Sequence, residues 1–309
     1  MLKSKHLIGL EHFPTSDLNK IIDTSFKFKE ILESPERKAI LLKGKTIVNM
    51  FFENSTRTKI SFTLAEKRLG ADSINFSSST SSVKKGETLK DTIQNIDAMK
   101  IDGAVIRHGH PGSALKLTEY IDGAVINAGD GSHEHPTQAI LDMVTLKEKF
   151  GKIKNLKVGI IGDILNSRVA RSDIFALKKL GAKIVVCGPN TLLPSNAKQL
   201  GVNITHNIEE VLSWCDVVIG LRIQLERMHL GRIPSKREYH SEFGLTYERI
   251  SKLKKDIVIM HPGPMNRGVE IDSKIADSEN AVILDQVLNG VASRMSILYL
   301  LLADKPENL

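Results

Sequence analysis

Cysteine, aromatic residues and long apolar runs are scarce in this chain, and each scarcity argues against a class of protein. Only two of the 309 residues are cysteine, Cys187 and Cys215. Both lie in apolar segments, so we expect two buried free thiols rather than a disulfide framework or a zinc site. Aromatic residues make up 5% of the chain, and no nucleic-acid-binding motif accompanies them. No apolar run approaches the roughly 18 residues that span a membrane. We therefore expect neither a nucleic-acid nor a membrane partner.

Several cofactor and targeting signals are also missing. The chain has no G-x-G-x-x-G, which argues against a nicotinamide oxidoreductase, and no G-x-x-x-x-G-K-[S/T], which excludes a P-loop kinase. The histidine pairs His108/His110 and His133/His135 lack carboxylate or cysteine partners at metal-site spacing, so we expect no metal. The N-terminus has no extended apolar segment and no small-residue cleavage site. We expect a cytoplasmic protein without a signal peptide.

Charge points to an anionic partner without identifying it. The chain carries 43 basic and 36 acidic residues, a net charge of +7. The basic residues are scattered, so most of the excess is expected on a solvated surface. A few arginines that directly follow predicted strands are therefore better candidates for binding.

Short β-branched runs alternate with longer amphipathic stretches along the chain, which is typical of βαβ units and parallel sheets. The predicted strands are Thr46–Phe52, Ser73–Phe76, Gly103–Arg107, Ala124–Ala128, Lys157–Ile161, Lys183–Cys187, Val217–Gly220 and Asp256–Met260. The predicted helices cover approximately residues 56–70, 88–100, 136–150, 167–180, 207–214, 245–254 and 285–303.

We predict an α/β fold of two domains, each a mostly parallel sheet flanked by helices. Residues 1–150 form the first domain and residues 151–284 the second, because Gly151 follows a long helix and a new strand starts soon after it. The helix over 285–309 is expected to cross back and pack on the first domain. Open α/β sheets bind ligands at the carboxyl ends of their strands.

The strongest chemical motif lies in the segment Phe51–Thr58, which reads FFENSTRT. An apolar strand ends there, and Ser-Thr-Arg-Thr opens a helix. A helix N-terminus offers free N–H groups, the hydroxyls add donors, and Arg57 can grip phosphate oxygens with two hydrogen bonds. The alternative is an ordinary N-cap by Ser55 with a solvated Arg57. The strand-to-helix position favours a phosphate site.

A second motif is His135-Pro136-Thr137-Gln138. Proline suits the first position of a helix, so His135 is expected just before one. A histidine or amide side chain at this point can donate to a carbonyl oxygen. Arg107, at the end of a predicted strand, could be a ligand-binding residue or a solvated strand end.

These segments together resemble the aspartate and ornithine carbamoyltransferases. FFENSTRT is similar to the carbamoyl-phosphate signature of that family, and the other segments match it in order from Phe51 to Arg294. The resemblance implies a first domain that binds carbamoyl phosphate, a second that binds the amino acid, and a homotrimer with shared active sites. It also implies that no cofactor is needed.

The resemblance assigns roles to particular residues. The residues implied for catalysis are Arg57, Thr58, Lys85, Arg107 and His135. Those implied for carbamoyl-phosphate binding are Ser55, Thr56, Arg57, Thr58, Ser81, Arg107, His135, Gln138, Gly263 and Pro264. Ser81 and Lys85 belong to a polar loop that, in the family, reaches the neighbouring chain's site; Lys84 is the weaker candidate for the lysine.

Aspartate binding is implied for Lys85, Arg168, Arg222 and Gln224. The R-x-Q-x-E-R segment from Arg222 is similar to the aspartate type, whereas ornithine enzymes usually show D-x-x-x-S-M-G and an H-C-L-P turn. The expected reaction joins carbamoyl phosphate to L-aspartate, the committed step of de novo pyrimidine biosynthesis. The alternatives are carbamoylation of ornithine or another amino acid, or a non-catalytic phosphate-binding homologue.

The turn His261-Pro262-Gly263-Pro264 and the MNRGVEI that follows it have the form found in many bacterial aspartate enzymes. The enteric regulated form has leucine at the Gly263 position. The resemblance therefore leaves open whether a regulatory chain or dihydroorotase associates with the trimer.

Overall fold

Two α/β units make up the chain in the computed structural model, which describes residues 2–77, 88–195, 200–223, 233 and 235–304. Unit 1 comprises Met1–Val144 and Leu288–Leu309, and unit 2 comprises Thr145–Val287. Both divisions fall inside long helices, whereas the sequence placed the boundaries at the end of one helix and the start of the other. The assignment of ligands to the domains stays a prediction from the sequence.

Unit 1 is built on a parallel sheet of four described strands. They are β1 (Thr46–Phe51), β2 (Asp72–Ser77), β3 (Gly103–His108) and β4 (Ala124–Asp130), in the order β2-β1-β3-β4. Every pairing is parallel. The two central strands are almost continuously buried because helices cover both faces of such a sheet.

Helices connect these strands. They are α1 (Thr15–Glu33), α2 (Thr56–Leu69), α3 (Leu89–Asp97), α4 (Ser113–Leu117) and α5 (Pro136–Phe150). Local sequence explains several ends: α2 stops at Gly70, whose φ of 76° suits glycine, and Thr88 caps α3 by accepting from the Asp91 amide. The C-terminal helix contacts α1, since Ser296 Oγ donates to the Ile21 carbonyl at 2.8 Å.

Unit 2 holds a second parallel sheet. Its described strands are β5 (Lys157–Ile161), β6 (Lys183–Cys187), β7 (Asn203–Thr205), β8 (Val217–Gly220) and β9 (Val258–Met260), in the order β7-β6-β5-β8-β9. All four pairings are parallel. The helices are α6 (Arg168–Lys179), α7 (Ile208–Trp214), α8 (Lys236–Phe243), α9 (Tyr247–Ser251) and α10 (Ser273–Ala276), with a 3₁₀ turn at Asn190–Leu192. The last helix, α11 (Ile283–Leu302), begins in unit 2 and belongs to unit 1 from Leu288 onward.

The predicted α/β class is confirmed, and each of the eight predicted strands is present. The short strand β7 and the helices α1, α4, α8 and α10 were not predicted. Cys187 and Cys215 are free and fully buried, as expected. In the described ranges, no helix combines the length and apolar character needed to cross a membrane.

Candidate active site

The N-terminus of α2 presents its predicted phosphate-binding residues on an open first turn. Ser55 occupies the N-cap position, but its side chain makes no capping hydrogen bond. The alternative in which the Ser55 hydroxyl caps the helix is therefore wrong. The first turn contains no acidic residue, and Thr56 and Arg57 are exposed while Thr58 is buried. A cation at a helix N-terminus opposes the helix dipole, so Arg57 does not stabilise α2 in this position. The positive charge there favours binding of an anion.

Arg107 and His135 meet at the carboxyl end of the unit 1 sheet. Arg107 Nη1 lies 3.5 Å from His135 Nε2 and donates to the Ala128 carbonyl at 3.1 Å. Arginine can only donate, so this contact favours the histidine tautomer with its proton on Nδ1. His135 is 5% exposed. The guanidinium and the imidazole therefore form one polar cluster, from residues that are 28 positions apart in the chain.

Glu53 is a member of this cluster that the sequence did not identify as a site residue. Its carboxylate lies 3.6 Å from Arg107 Nε, and both side chains are mostly buried. The ion pair connects the loop after β1, which leads into the predicted phosphate-binding residues at the start of α2, with the end of β3. Glu53 therefore restrains the direction of the Arg107 side chain. Its position inside the FFENSTRT motif was the only signal in the sequence.

Asp130, at the end of β4, holds the loops that lead to His135. Its fully buried carboxylate accepts from the Gly112 amide at 2.8 Å, from Asn127 Nδ2 at 2.7 Å and from the Glu134 amide at 3.2 Å. His133 Nδ1 lies 3.1 Å away. Burial alone would raise the pKa of Asp130, but these hydrogen bonds together outweigh it and hold the pKa below its ordinary value.

Replacing Asp130 with alanine should lower the free energy of unfolding by about 2–3 kcal/mol, because several buried donors would lose their acceptor. Because the pKa of this carboxyl is lower in the folded state, its ionisation stabilises the fold at pH values above its unfolded-state pKa of about 3.9. This contribution is lost as the pH falls through the folded-state pKa. Urea unfolding at pH 7 and at pH 3 measures both effects. The exposed Asp122 provides the control, since Asp122→Ala should change stability by less than about 0.5 kcal/mol. Equal losses in the two variants would contradict this role of Asp130.

Gln138 lies in the first turn of α5, directly beside His135. Its backbone amide donates to the His135 carbonyl at 3.0 Å, and its side chain is 8% exposed. Its Nε2 donates to Asp142, one turn further along the helix. Both HPTQ residues implied for carbamoyl recognition therefore lie at the same edge of the unit 1 sheet.

In unit 2 the predicted aspartate-binding arginines follow two neighbouring strands. Arg168 is the first residue of α6, after β5, and Ser167 caps that helix by accepting from the Ala170 amide at 3.1 Å. Arg222 follows β8 and is half-buried. Because β5 and β8 are hydrogen-bonded neighbours, both arginines lie at the carboxyl edge of the same sheet.

The turn after β9 comes next along this edge and is held by buried polar contacts. His261 Nδ1 accepts from the Gly263 amide at 2.8 Å, and the His261 amide donates to Gln286 Oε1 at 3.0 Å. Glu270 Oε1 lies 3.4 Å from His261 Nε2. Gly263 has a φ of 62° and precedes Pro264, so the backbone direction of this turn is fixed by its sequence.

Three of the predicted site residues, Ser81, Lys85 and Gln224, lie outside the described residues. Within the described ranges, no group of three or more His, Cys, Asp or Glu side chains could hold a metal ion.

Family profiles match both halves of the chain. One, described as "Aspartate/ornithine carbamoyltransferase, carbamoyl-P binding domain", matches residues 5–148, and another, described as "Aspartate/ornithine carbamoyltransferase, Asp/Orn binding domain", matches residues 154–301. The chain belongs to the aspartate/ornithine carbamoyltransferase family. The resemblance drawn from FFENSTRT and HPTQ is thereby confirmed.

Members of this family include proteins with both acceptor specificities. The chain is 55% identical over 300 residues to the "Aspartate carbamoyltransferase catalytic subunit" of Christiangramia forsetii, with 97% of each chain covered. Aspartate transcarbamoylase from Trypanosoma cruzi, solved in complex with N-(phosphonacetyl)-L-aspartic acid, has a TM-score of 0.88 and 30% identity over 96% of this chain and 95% of that one. Ornithine carbamoyltransferase from Pyrococcus furiosus has a TM-score of 0.86 and 28% identity over 97% of each chain.

Proposed function

We propose that this chain transfers the carbamoyl group of carbamoyl phosphate to L-aspartate, giving N-carbamoyl-L-aspartate and phosphate. The observation that carries the proposal is the 55% identity, across nearly the whole chain, to an aspartate carbamoyltransferase catalytic subunit. Fold alone does not decide the acceptor, because aspartate and ornithine enzymes have nearly equal TM-scores to this chain.

The charge of the unit 2 edge supports a dicarboxylic acceptor. Arg168 and Arg222 follow neighbouring strands there, and arginine binds carboxylates with two parallel hydrogen bonds. In this proposal Arg168 holds the α-carboxylate and Arg222, assisted by Gln224, holds the side-chain carboxylate. Ornithine carries a side-chain ammonium, which a second guanidinium would repel.

The carboxyl edge of the unit 1 sheet supplies the proposed site for carbamoyl phosphate. The residues proposed for the phosphate group are Ser55, Thr56, Arg57 and Thr58, joined by Ser81 and Lys85 of a neighbouring chain. Thr58, Arg107 and His135 are proposed to donate to the carbonyl oxygen. Gln138 and the backbone carbonyls of the Gly263-Pro264 turn are proposed to accept from the carbamoyl amine. All of these roles follow from the family resemblance, and the contact between Arg107 and His135 is consistent with a shared ligand atom.

The reaction needs positioning and electrostatic stabilisation but no covalent nucleophile. The deprotonated aspartate amine attacks the carbonyl carbon, and a new C–N bond forms as the carbonyl oxygen becomes an oxyanion. The bond between the carbonyl carbon and the oxygen that bridges to phosphorus then breaks as the carbonyl re-forms, and phosphate leaves. The attacking nitrogen gives up one proton, for which the departing phosphate is the proposed acceptor. Donors already in place for the oxyanion lower the barrier because they need no reorganisation during the reaction.

Two further features are part of the proposal. The chain acts as a homotrimer in the cytoplasm, and Ser81 and Lys85 complete the active site of the adjacent subunit. Size-exclusion chromatography with light scattering should give three times the 34.2 kDa mass of the chain. Adding a regulatory chain or dihydroorotase to the same measurement tests the partners that the sequence left open.

The proposed reaction is tested by transfer of radiolabelled carbamoyl groups to each amino acid. The expected kcat/KM for L-aspartate exceeds that for L-ornithine by at least about 100-fold, since placing like charges together costs several kcal/mol. The purified wild-type chain is assayed with both acceptors at saturating carbamoyl phosphate. Higher activity with ornithine would overturn the assignment of the acceptor, and inactivity with both would favour the non-catalytic alternative.

A further inference from the structure

Gln138 and Asp142 form a buried side-chain pair on one face of α5. Gln138 Nε2 lies 3.1 Å from Asp142 Oδ1 and 3.3 Å from Oδ2. Asp142 is fully buried and Gln138 is 8% exposed. Residues four apart on a helix are neighbours on its surface, so the pair follows from the sequence spacing once the helix has formed.

This pair determines which end of the Gln138 amide remains available. A carboxylate can only accept hydrogen bonds, whereas an amide has a donating nitrogen and an accepting oxygen. Asp142 therefore draws the Nε2 end toward itself and directs Oε1 away. Among the described residues, no group donates a hydrogen bond to Oε1.

A buried arginine of α11 lies near this pair. Arg294 is 3% exposed, its Nη1 donates to the Gly290 carbonyl at 2.7 Å, and its guanidinium lies 5.1 Å from the centre of the Phe62 ring in α2. Burial lowers the pKa of Arg294 to about 10, and the charge of Asp142 opposes that shift. The guanidinium thus stays charged at neutral pH and favours a negative charge on Asp142.

We infer that Asp142 is a positioning residue for selection of the carbamoyl substrate. It orients the amide of Gln138 so that Oε1 accepts a hydrogen bond from the amino group of carbamoyl phosphate. This inference rests on the proposed function and adds a residue to it. A flipped amide would turn Nε2 toward the substrate amine and place two donors face to face. The orientation therefore distinguishes an amino group from a group that cannot donate.

Acetyl phosphate is the probe for this inference, because it replaces the amino group of carbamoyl phosphate with a methyl group and leaves the phosphate anhydride unchanged. The measured quantity is the ratio of kcat/KM for carbamoyl phosphate to that for acetyl phosphate, with saturating L-aspartate. If turnover of acetyl phosphate is too slow, the ratio of its inhibition constant to the KM for carbamoyl phosphate is measured instead. Both acyl phosphates are measured on one protein preparation, so the ratio does not depend on the fraction of the protein that is folded.

Asp142→Asn should lower this ratio about tenfold, the size expected for the loss of one neutral hydrogen bond. Asparagine has nearly the same shape but presents both a donor and an acceptor, so Gln138 is no longer held in one orientation. Glu148→Gln is the matched control, since it makes the same acid-to-amide change at an exposed position of α5. Its ratio should equal that of the wild type. Asp142→Ser is measured in parallel, so that the ratio is also available from a smaller replacement if asparagine prevents folding.

A double variant shows whether Asp142 acts through Gln138. Gln138→Ala alone should also lower the ratio, and adding Asp142→Asn to it should lower the ratio no further. An unchanged ratio in the Asp142 variants, or a full additional loss in the double variant, would overturn the inference while the proposed reaction stands. A wild-type chain that cannot use carbamoyl phosphate would overturn the proposed function, and this inference with it.

Discussion

Arg57→Ala is expected to lower kcat for carbamoyl transfer about 100- to 1000-fold, the usual cost of removing one donor that stabilises developing charge. Arg57 lies in the exposed first turn of α2, which contains no acidic residue. Its proposed role is to neutralise the phosphate group as that group leaves. Steady-state kinetics with L-aspartate measures the loss, and isothermal titration with inorganic phosphate measures the accompanying loss of anion binding.

The same substitution should leave the fold intact, because an exposed side chain in the first turn contributes little to stability. We expect the free energy of unfolding to change by no more than about 0.5 kcal/mol. Lys67→Ala is the matched control: it removes one positive charge from the exposed last turn of the same helix. Turnover of that variant should stay within about twofold of the wild type. Near-normal activity of Arg57→Ala would count against the phosphate role of the α2 N-terminus.

Arg107→Gln should cause a loss of similar size, about 100- to 1000-fold in kcat. Glutamine keeps a hydrogen-bond donor but removes the charge that lies beside His135 and Glu53. If Arg107 stabilises an oxyanion, kcat falls more than the KM for carbamoyl phosphate rises, since the lost interaction is strongest in the transition state. Initial rates over a matrix of both substrates separate the two parameters.

Glu53→Gln is the control for the ion pair itself. It removes the partner of Arg107 but keeps the guanidinium, so the expected loss is about tenfold or less and arises from a less fixed arginine. A loss in Glu53→Gln as large as that in Arg107→Gln would mean that the ion pair, and not the arginine as a donor, supports activity. Circular dichroism and thermal unfolding of both variants show that they are folded.

Much of the fold was predictable because the strand signals are local. Lys157–Ile161, Lys183–Cys187 and Val217–Gly220 are short apolar runs whose boundaries agree with the structure. Strand β7 has only three residues and one neighbour in the sheet, so its formation depends on tertiary pairing with β6. Helix α1 did carry a signal: the buried residues Leu18, Ile21, Ile22, Ser25, Phe28 and Leu32 recur at helical spacing.

The candidate site likewise has some features that the sequence predicts and others that depend on tertiary contacts. The open turn at Ser55 and the helix start after His135 are strand-to-helix junctions that appear in the sequence as motifs. The ion pair between Glu53 and Arg107 joins the loop after β1 to the end of β3, and no local pattern indicates such a contact. The bond between Gln138 and Asp142 has helical spacing, but its chemical meaning depends on both side chains being buried together.

The two cysteines determine how the protein can be studied with chemical labels. Burial raises the pKa of both thiols to about 12, so neither is a reactive thiolate near neutral pH. Alkylating reagents thus have little to attack on the native chain. A maleimide dye coupled to one engineered surface cysteine would mark that position alone, and fluorescence changes on adding substrate could be assigned to it without removing any native residue.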